Sequence, residues 1–145
     1  MMGAYGDFTF QGAYSRVGML SGGIGITPLR SMIKCSIDKK LNTSIILLYS
    51  NRFENDIAFR DELEAVQTEN PNLKVVETIT KPGLDWKGVS GRINPEIVKK
   101  FIPDYMERTF YSSGPQKMVD AMISLLKEMG VLEEQIKQEY FLGYD

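Results

Sequence analysis

Apolar positions along the chain follow two rhythms that alternate. Residues 17–20 form a short apolar segment running into Ser21-Gly22-Gly23-Ile24-Gly25, after which Leu29, Met32, Ile33 and Ile37 recur at helical spacing. This predicts strand, glycine turn and helix, with Thr27 as N-cap and Pro28 at the first helical position, where its missing N–H costs nothing. Residues 44–50 are a continuous, β-branched apolar run of strand length; Asn55-Asp56 then leads into Ile57, Phe59, Leu63 and Val66 at helical spacing. Residues 73–80 supply a third strand. Asn94-Pro95-Glu96 has the form of a capped helix start, followed by Ile97, Val98 and Phe101, and the loop before it contains Trp86. Residues 109–113 read as a fourth strand, broken by Gly114-Pro115. Met118, Met122, Leu125, Leu126 and Met129 then mark one face of a long helix ending near Gly130, and a fifth strand is expected at residues 140–142. Strands alternating with helices predict an α/β protein with a three-layer, doubly wound parallel sheet.

Composition narrows the chemistry. The chain has 145 residues, 43% of them hydrophobic, enough for one packed domain. Its net charge of -2 offers no general attraction for nucleic acid or an anionic membrane. It contains no histidine, which removes histidine-based triads and bases and most zinc or non-haem iron sites; no metal ligand set is expected. One cysteine, Cys35, forms no internal disulfide and suits a reducing compartment such as the cytoplasm; it reads as a small buried hydrophobe. No apolar run approaches the roughly 20 residues needed to span a bilayer.

In an open parallel sheet, ligands bind beyond the carboxyl ends of the strands, and the glycine turns at residues 22–25 and at Gly114 should face one crevice. Glycines let backbone approach a pyrophosphate, and the amides of a helix start favour its charge. Taken alone, Gly23-Ile24-Gly25 is a weak signal that also reads as a tight strand-to-helix turn, because Pro28 stands where the usual dinucleotide fingerprint has its third glycine.

The whole run Gly22-Gly23-Ile24-Gly25-Ile26-Thr27-Pro28-Leu29-Arg30-Ser31-Met32-Ile33, proline included, resembles the opening of the pyridine-nucleotide domain in the ferredoxin-NADP reductase superfamily. In matching order, Tyr49-Ser50-Asn51-Arg52 with residues 56–63, Trp86-Lys87-Gly88 with Gly91-Arg92-Ile93, Ser113-Gly114-Pro115-Gln116-Lys117-Met118, and Glu139-Tyr140-Phe141-Leu142-Gly143-Tyr144 resemble the later motifs of that domain. Together they cover residues 17–145. The resemblance implies a sheet of about five strands ordered 3-2-1-4-5, and a site for NAD or NADP. It places Gly22, Gly23, Ile24, Gly25, Thr27 and Pro28 at the pyrophosphate and Ser50, Asn51, Arg52, Thr80 and Lys81 around the adenosine ribose. Ser113, Gly114, Pro115 and Met118 fall by the nicotinamide. Phe141 and Tyr144 would cover a flavin ring, and Glu139 would assist proton movement there.

Two departures qualify this picture. Ser113 stands where the family usually has cysteine beside the hydride-transfer site. The family's flavin-binding barrel, with its Arg-x-Tyr-Ser/Thr motif, is missing: Tyr14-Ser15 matches superficially, but Gly12 occupies the arginine position. Residues 1–12, with Gly3-Ala4-Tyr5-Gly6-Asp7-Phe8, resemble the end of that barrel, so the chain reads as one NAD(P)-binding domain whose FAD or FMN comes only through a partner domain or chain. Arg52 and Lys81 either pair with an adenosine 2′-phosphate or are solvated surface charges. The expected function is an NAD(P)H-binding part of a flavoprotein reductase that does not turn over alone; the alternative is a non-catalytic nucleotide-binding or regulatory module.

Overall fold

The protein, seen here as a computed structural model, is described over residues 16–22, 26–39 and 43–141; of Asp56, Glu139, Tyr140 and Phe141 the description covers the backbone only. The apolar runs form β1 (Arg16–Gly22), β2 (Ser44–Asn51), β3 (Leu73–Ile79), β5 (Thr109–Pro115) and β6 (Ile136–Phe141), with a short β4 (Val89–Ser90) between β3 and β5. Helices α1 (Ile26–Asp38), α2 (Arg60–Glu69), α3 (Pro95–Phe101) and α4 (Gln116–Glu128) connect them. All pairings are parallel, and β1 lies between β2 and β5, with Met19 level with Leu47 on one side and Tyr111 on the other.

The central strands are buried on both faces, which is why their sequences run apolar without alternating. One face carries Val17, Met19, Ile45, Leu47, Tyr49 and Tyr111 beneath Leu29, Met32 and Ile33 of α1 and Leu63 of α2. The opposite face carries Leu20, Ile46, Leu48 and Phe110 beneath Ile97 and Val98 of α3 and Met122 and Leu126 of α4. The result is three layers: two helices, the sheet, two helices.

The sheet departs from the expected five strands ordered 3-2-1-4-5. It has six, and in chain order it reads β4-β3-β2-β1-β5-β6, because Val89 and Ser90 pair with Thr78 and Ile79 and add an outer edge. Two residues are too short to leave a periodic trace in sequence. The last strand starts at Ile136 and not at residue 140, since the β5 ladder holds it from Phe110 level with Ile136 to Pro115 level with Phe141. Helix α1 already includes Thr27 in its first turn, so Thr27 is not its N-cap. Asn55-Asp56 does not open α2: residues 54–56 form one 3-10 turn, and Phe59, at φ 59°, blocks helix until Arg60. Elsewhere the local chemistry acts as expected. Asn94 caps α3, its Oδ1 accepting from the Ile97 N–H at 2.8 Å. Gly130, at φ 99°, lets α4 end with the Val131 N–H donating back to the Leu126 carbonyl. Cys35 is half-buried and not a core residue. At the β3 edge, the Val75 N–H donates to Gln67 Oε1 from α2.

The amino ends of the strands are tied by Arg108, which is 5% exposed. Its guanidinium donates to the Val17 carbonyl (2.8 Å), the Ser44 carbonyl (3.0 Å) and Asp104 Oδ1 (2.7 Å), joining β1, β2 and the turn before β5. Arg16 adds a second cation to Asp104. Burial pushes the Asp104 carboxyl up, but hydrogen bonding and charge from Arg108, with Arg16 behind it, outweigh burial and hold it below the usual carboxylate range. A lowered folded-state pKa stabilises above the unfolded carboxyl's pKa, about 3.9, and that contribution disappears as pH falls through the folded value. Asp104→Asn should therefore cost about 1–2 kcal/mol at neutral pH and less at pH about 3, below the unfolded carboxyl's pKa. Urea unfolding at both pH values checks this, and an equal loss at both would contradict it.

Candidate nucleotide cleft

The carboxyl ends of the strands open into a cleft of about 780 Å³. Gly22 of β1, Ser50 and Asn51 of β2, Arg52 and Thr80 just past β2 and β3, and Pro115 of β5 form its floor, and Met118, Ala121, Met122 and Leu125 of α4 form an apolar wall. The remaining rim is Ala58, Lys117, Arg92 and Ile93. That volume is in the range of small-molecule and cofactor sites. Gly22 is needed because the space is taken: a Cβ there would lie 2.9 Å from Met118 Sδ and 3.0 Å from the Ser50 carbonyl oxygen.

Strand ends hold this floor in register. The Thr80 N–H donates to the Asn51 carbonyl at 2.9 Å, the Lys81 N–H to the Arg52 carbonyl at 2.8 Å, and the Gly91 N–H to the Ile79 carbonyl at 2.9 Å. The turn carrying Ala58 is fixed from below, since its N–H donates to Tyr49 Oη at 3.0 Å. Arg60 braces the same wall, reaching Glu54 (2.7 Å), Glu64 (3.4 Å) and Glu77 (3.6 Å) and lying over the Trp86 ring. Burial pushes the Glu77 carboxyl above its ordinary range; Arg60 opposes this, while Glu64 and Glu54 add to it.

The lining is electrostatically one-sided. Arg52, Arg92 and Lys117 bring three cations, and among the described residues no carboxylate lines the cleft. With the hydroxyls of Ser50 and Thr80 and the Asn51 amide, this donor set fits an anionic, hydroxyl-bearing ligand with an apolar ring system.

Of the residues expected from sequence, Gly22, Ser50, Asn51, Arg52, Thr80, Pro115 and Met118 come together in this cleft. Gly114 sits in β5 at φ 148°, a backbone conformation that favours glycine, directly before Pro115. Ser113 is fully buried; its Oγ has no hydrogen-bond partner among the described residues, and in the ladder it is level with Glu139. Lys81 is exposed and does not line the cleft. Thr27 and Pro28 lie in the first turn of α1, outside the lining. Gly23, Ile24, Gly25 and Tyr144 lie outside the described residues, as do the side chains of Glu139 and Phe141 and the whole of residues 1–15. Trp86 packs within the β3–β4 loop, its indole N–H donating to the Val89 carbonyl at 2.9 Å. Met118 and Met122 serve the cleft as well as helix packing. Sequence reasoning gave Arg92 and Lys117 no role. Both sit inside recognisable motifs, Gly91-Arg92-Ile93 and Gly114-Pro115-Gln116-Lys117-Met118, but only folding shows that they face the same space.

Comparison with known proteins agrees with this geometry. Residues 19–123 match the family model described as oxidoreductase NAD-binding domain. The glycine betaine monooxygenase reductase subunit of Chromohalobacter salexigens is 32% identical over 96% of this chain and 39% of its own length. The NADH-cytochrome b5 reductase-like protein of Arabidopsis thaliana is 31% identical over 83% of this chain and 41% of its own. The crystal structure of the cytochrome b5 reductase domain of Ulva prolifera nitrate reductase superposes with a TM-score of 0.78 at 31% identity, covering 88% of this chain and 50% of that one. The chain spans about two fifths of the length of these curated relatives. On this evidence the chain belongs to the oxidoreductase NAD-binding domain family, in its ferredoxin-reductase and cytochrome b5 reductase-like branch.

Proposed function

We propose that this chain binds NAD(P)H and positions the nicotinamide for hydride transfer to an FAD or FMN held by another domain or chain. The cleft carries the reading: it lies at the carboxyl ends of β1, β2, β3 and β5, is lined by three cations and no described carboxylate, and has the volume of a cofactor site. Gly22, Gly23, Ile24, Gly25, Thr27 and Pro28 would meet the pyrophosphate, where the amides of a helix start favour negative charge. Ser50, Asn51 and Thr80 supply donors and acceptors for the adenosine ribose. Ser113, Gly114, Pro115 and Met118 would hold the nicotinamide, and Phe141 and Tyr144 would cover the partner's flavin, with Glu139 assisting proton movement there. The hydride itself comes from the bound dinucleotide; the protein contributes binding, orientation and exclusion of water. Among the described residues no helix is long and apolar enough to cross a membrane. The lone Cys35 fits the reducing cytoplasm, which we include in the proposal.

The test is calorimetric titration of the full chain with NADH and NADPH. One-to-one binding near the micromolar range without stoichiometric flavin is expected, followed by hydride transfer once a flavin-loaded partner domain is added. Absence of binding by either dinucleotide overturns the reading. Ser113, in the position where related domains usually have cysteine, favours a second reading as a regulatory nucleotide-binding module. Tight binding with no transfer to any flavin domain would select it.

A further inference from the structure

Among the described residues, Phe59 is the one non-glycine with a positive φ, 59° at ψ 24°. A Cβ makes this left-handed conformation costly, and a bulky ring is a rare occupant of it, whereas glycine adopts it freely. Strain of this kind persists only where the surroundings hold it. Burial does not hold it here, because Phe59 is 39% exposed, and no side-chain hydrogen bond caps α2 at this residue.

The hold comes from Arg30 of α1. Its guanidinium carbon lies 4.5 Å from the centre of the Phe59 ring. The same group donates through Nε and Nη2 to both carboxylate oxygens of Glu62, the Nη2 bond being 2.8 Å. Phe59 and Glu62 bracket the first turn of α2, where the Leu63 N–H donates to the Phe59 carbonyl at 2.8 Å. One side chain from α1 therefore grips both the strained residue and the helix that begins after it. Guanidinium suits this double contact, since its flat face stacks on a ring while its edge donates two parallel hydrogen bonds.

The contact lies just behind the cleft. Ala58, immediately before Phe59, is on the cleft rim, and its N–H donates to Tyr49 Oη at 3.0 Å. Arg30 itself is outside the lining. The left-handed turn at Phe59 sets the direction in which the chain leaves the rim for α2, so relaxing that residue redirects the backbone at Ala58. We infer that Arg30 is a positioning residue for the dinucleotide, acting from outside the cleft: by holding Phe59 left-handed it fixes the rim at Ala58 and ties that rim to α1. The inference rests on the NAD(P)H reading above.

The test uses the full chain and three variants, each shown to be folded by thermal unfolding. Arg30→Met keeps an unbranched stem and removes both contacts; NADH and NADPH should each bind about tenfold more weakly by calorimetry. In the ligand-free protein, deuterium exchange at the Ala58 amide should be about tenfold faster, since local opening governs exchange. Adding Phe59→Gly to Arg30→Met should return both quantities to within about threefold of wild type, because glycine takes the left-handed conformation without help. Loss of a cation near an anionic ligand, or of an ordinary brace between helices, would not be repaired by glycine. Glu62→Ala separates charge from geometry by sign: it makes the region more cationic, yet it should weaken binding because Arg30 loses its anchor. Tighter binding by Glu62→Ala, no recovery in the double variant, or unchanged exchange at Ala58 in Arg30→Met overturns the inference and leaves the NAD(P)H reading in place. If the wild type binds neither dinucleotide, that reading and the positioning role fall together.

Discussion

Arg108→Ala is expected to cost about 3–5 kcal/mol, in the range for breaking a buried charged pair, and to lower Tm by on the order of 10 °C. Arg108 is almost wholly buried, and its guanidinium is the donor for the Val17 and Ser44 carbonyls. Alanine leaves those carbonyls without that donor and Asp104 with Arg16, at 3.5 Å, as its remaining cation among the described residues. Unsatisfied buried acceptors carry their full desolvation cost, so the loss exceeds what a hydrogen bond contributes when made. Lysine restores charge but not the fork that reaches β1, β2 and Asp104 together. Urea unfolding measures the effect, and a loss smaller than about 1 kcal/mol would show that Arg108 behaves as an ordinary surface cation.

The second large effect concerns the cleft. Gly22→Val should weaken dinucleotide binding by about tenfold to a hundredfold, corresponding to the 1–3 kcal/mol typical of forced overpacking. Of the two atoms nearest a new Cβ, Met118 Sδ can swing away, while the Ser50 carbonyl oxygen belongs to the β2 backbone paired with Gly22. Displacing Met118 disturbs the cleft's apolar wall, and displacing Ser50 shifts its floor. Gly83→Val is the matched control, because a Cβ at Gly83 has nothing within 4 Å. Calorimetry on both variants, with thermal unfolding to establish that each is folded, decides the matter; a folded Gly22→Val protein with undiminished affinity would refute the assignment of the cleft.

Much of this architecture is legible in the chain because burial on both faces forces long apolar strands, and residues 44–50 have no other reading at that length. The strand-end residues Ser50, Asn51 and Thr80, which the family resemblance put by the ribose, lie in the cleft at the carboxyl ends of β2 and β3. The illegible parts share a physical cause: they depend on contacts between distant segments. Val89–Ser90 becomes a strand only because β3 offers an edge. Phe59 adopts φ 59° where Asn55-Asp56 looked like a helix start, and local propensity gave no sign of it. Arg108 reads as one more exposed cation until Val17, Ser44 and Asp104 close around it. Arg92 and Lys117 sit 25 residues apart in the chain, by subtraction of their numbers, and converge only through the fold.

The Gln67 side chain on the Val75 N–H has a consequence for how molecules of this protein meet one another. Outer strands present unpaired amides on which a foreign strand can add, the usual opening for sheet-to-sheet association. On this edge β4 covers only Thr78 and Ile79, and Gln67 occupies the amide of Val75, beside the exposed Lys74. A strand arriving there finds a donor already used and the Lys74 charge beside it, which disfavours strand addition at the margin where the sheet's own pairing is shortest.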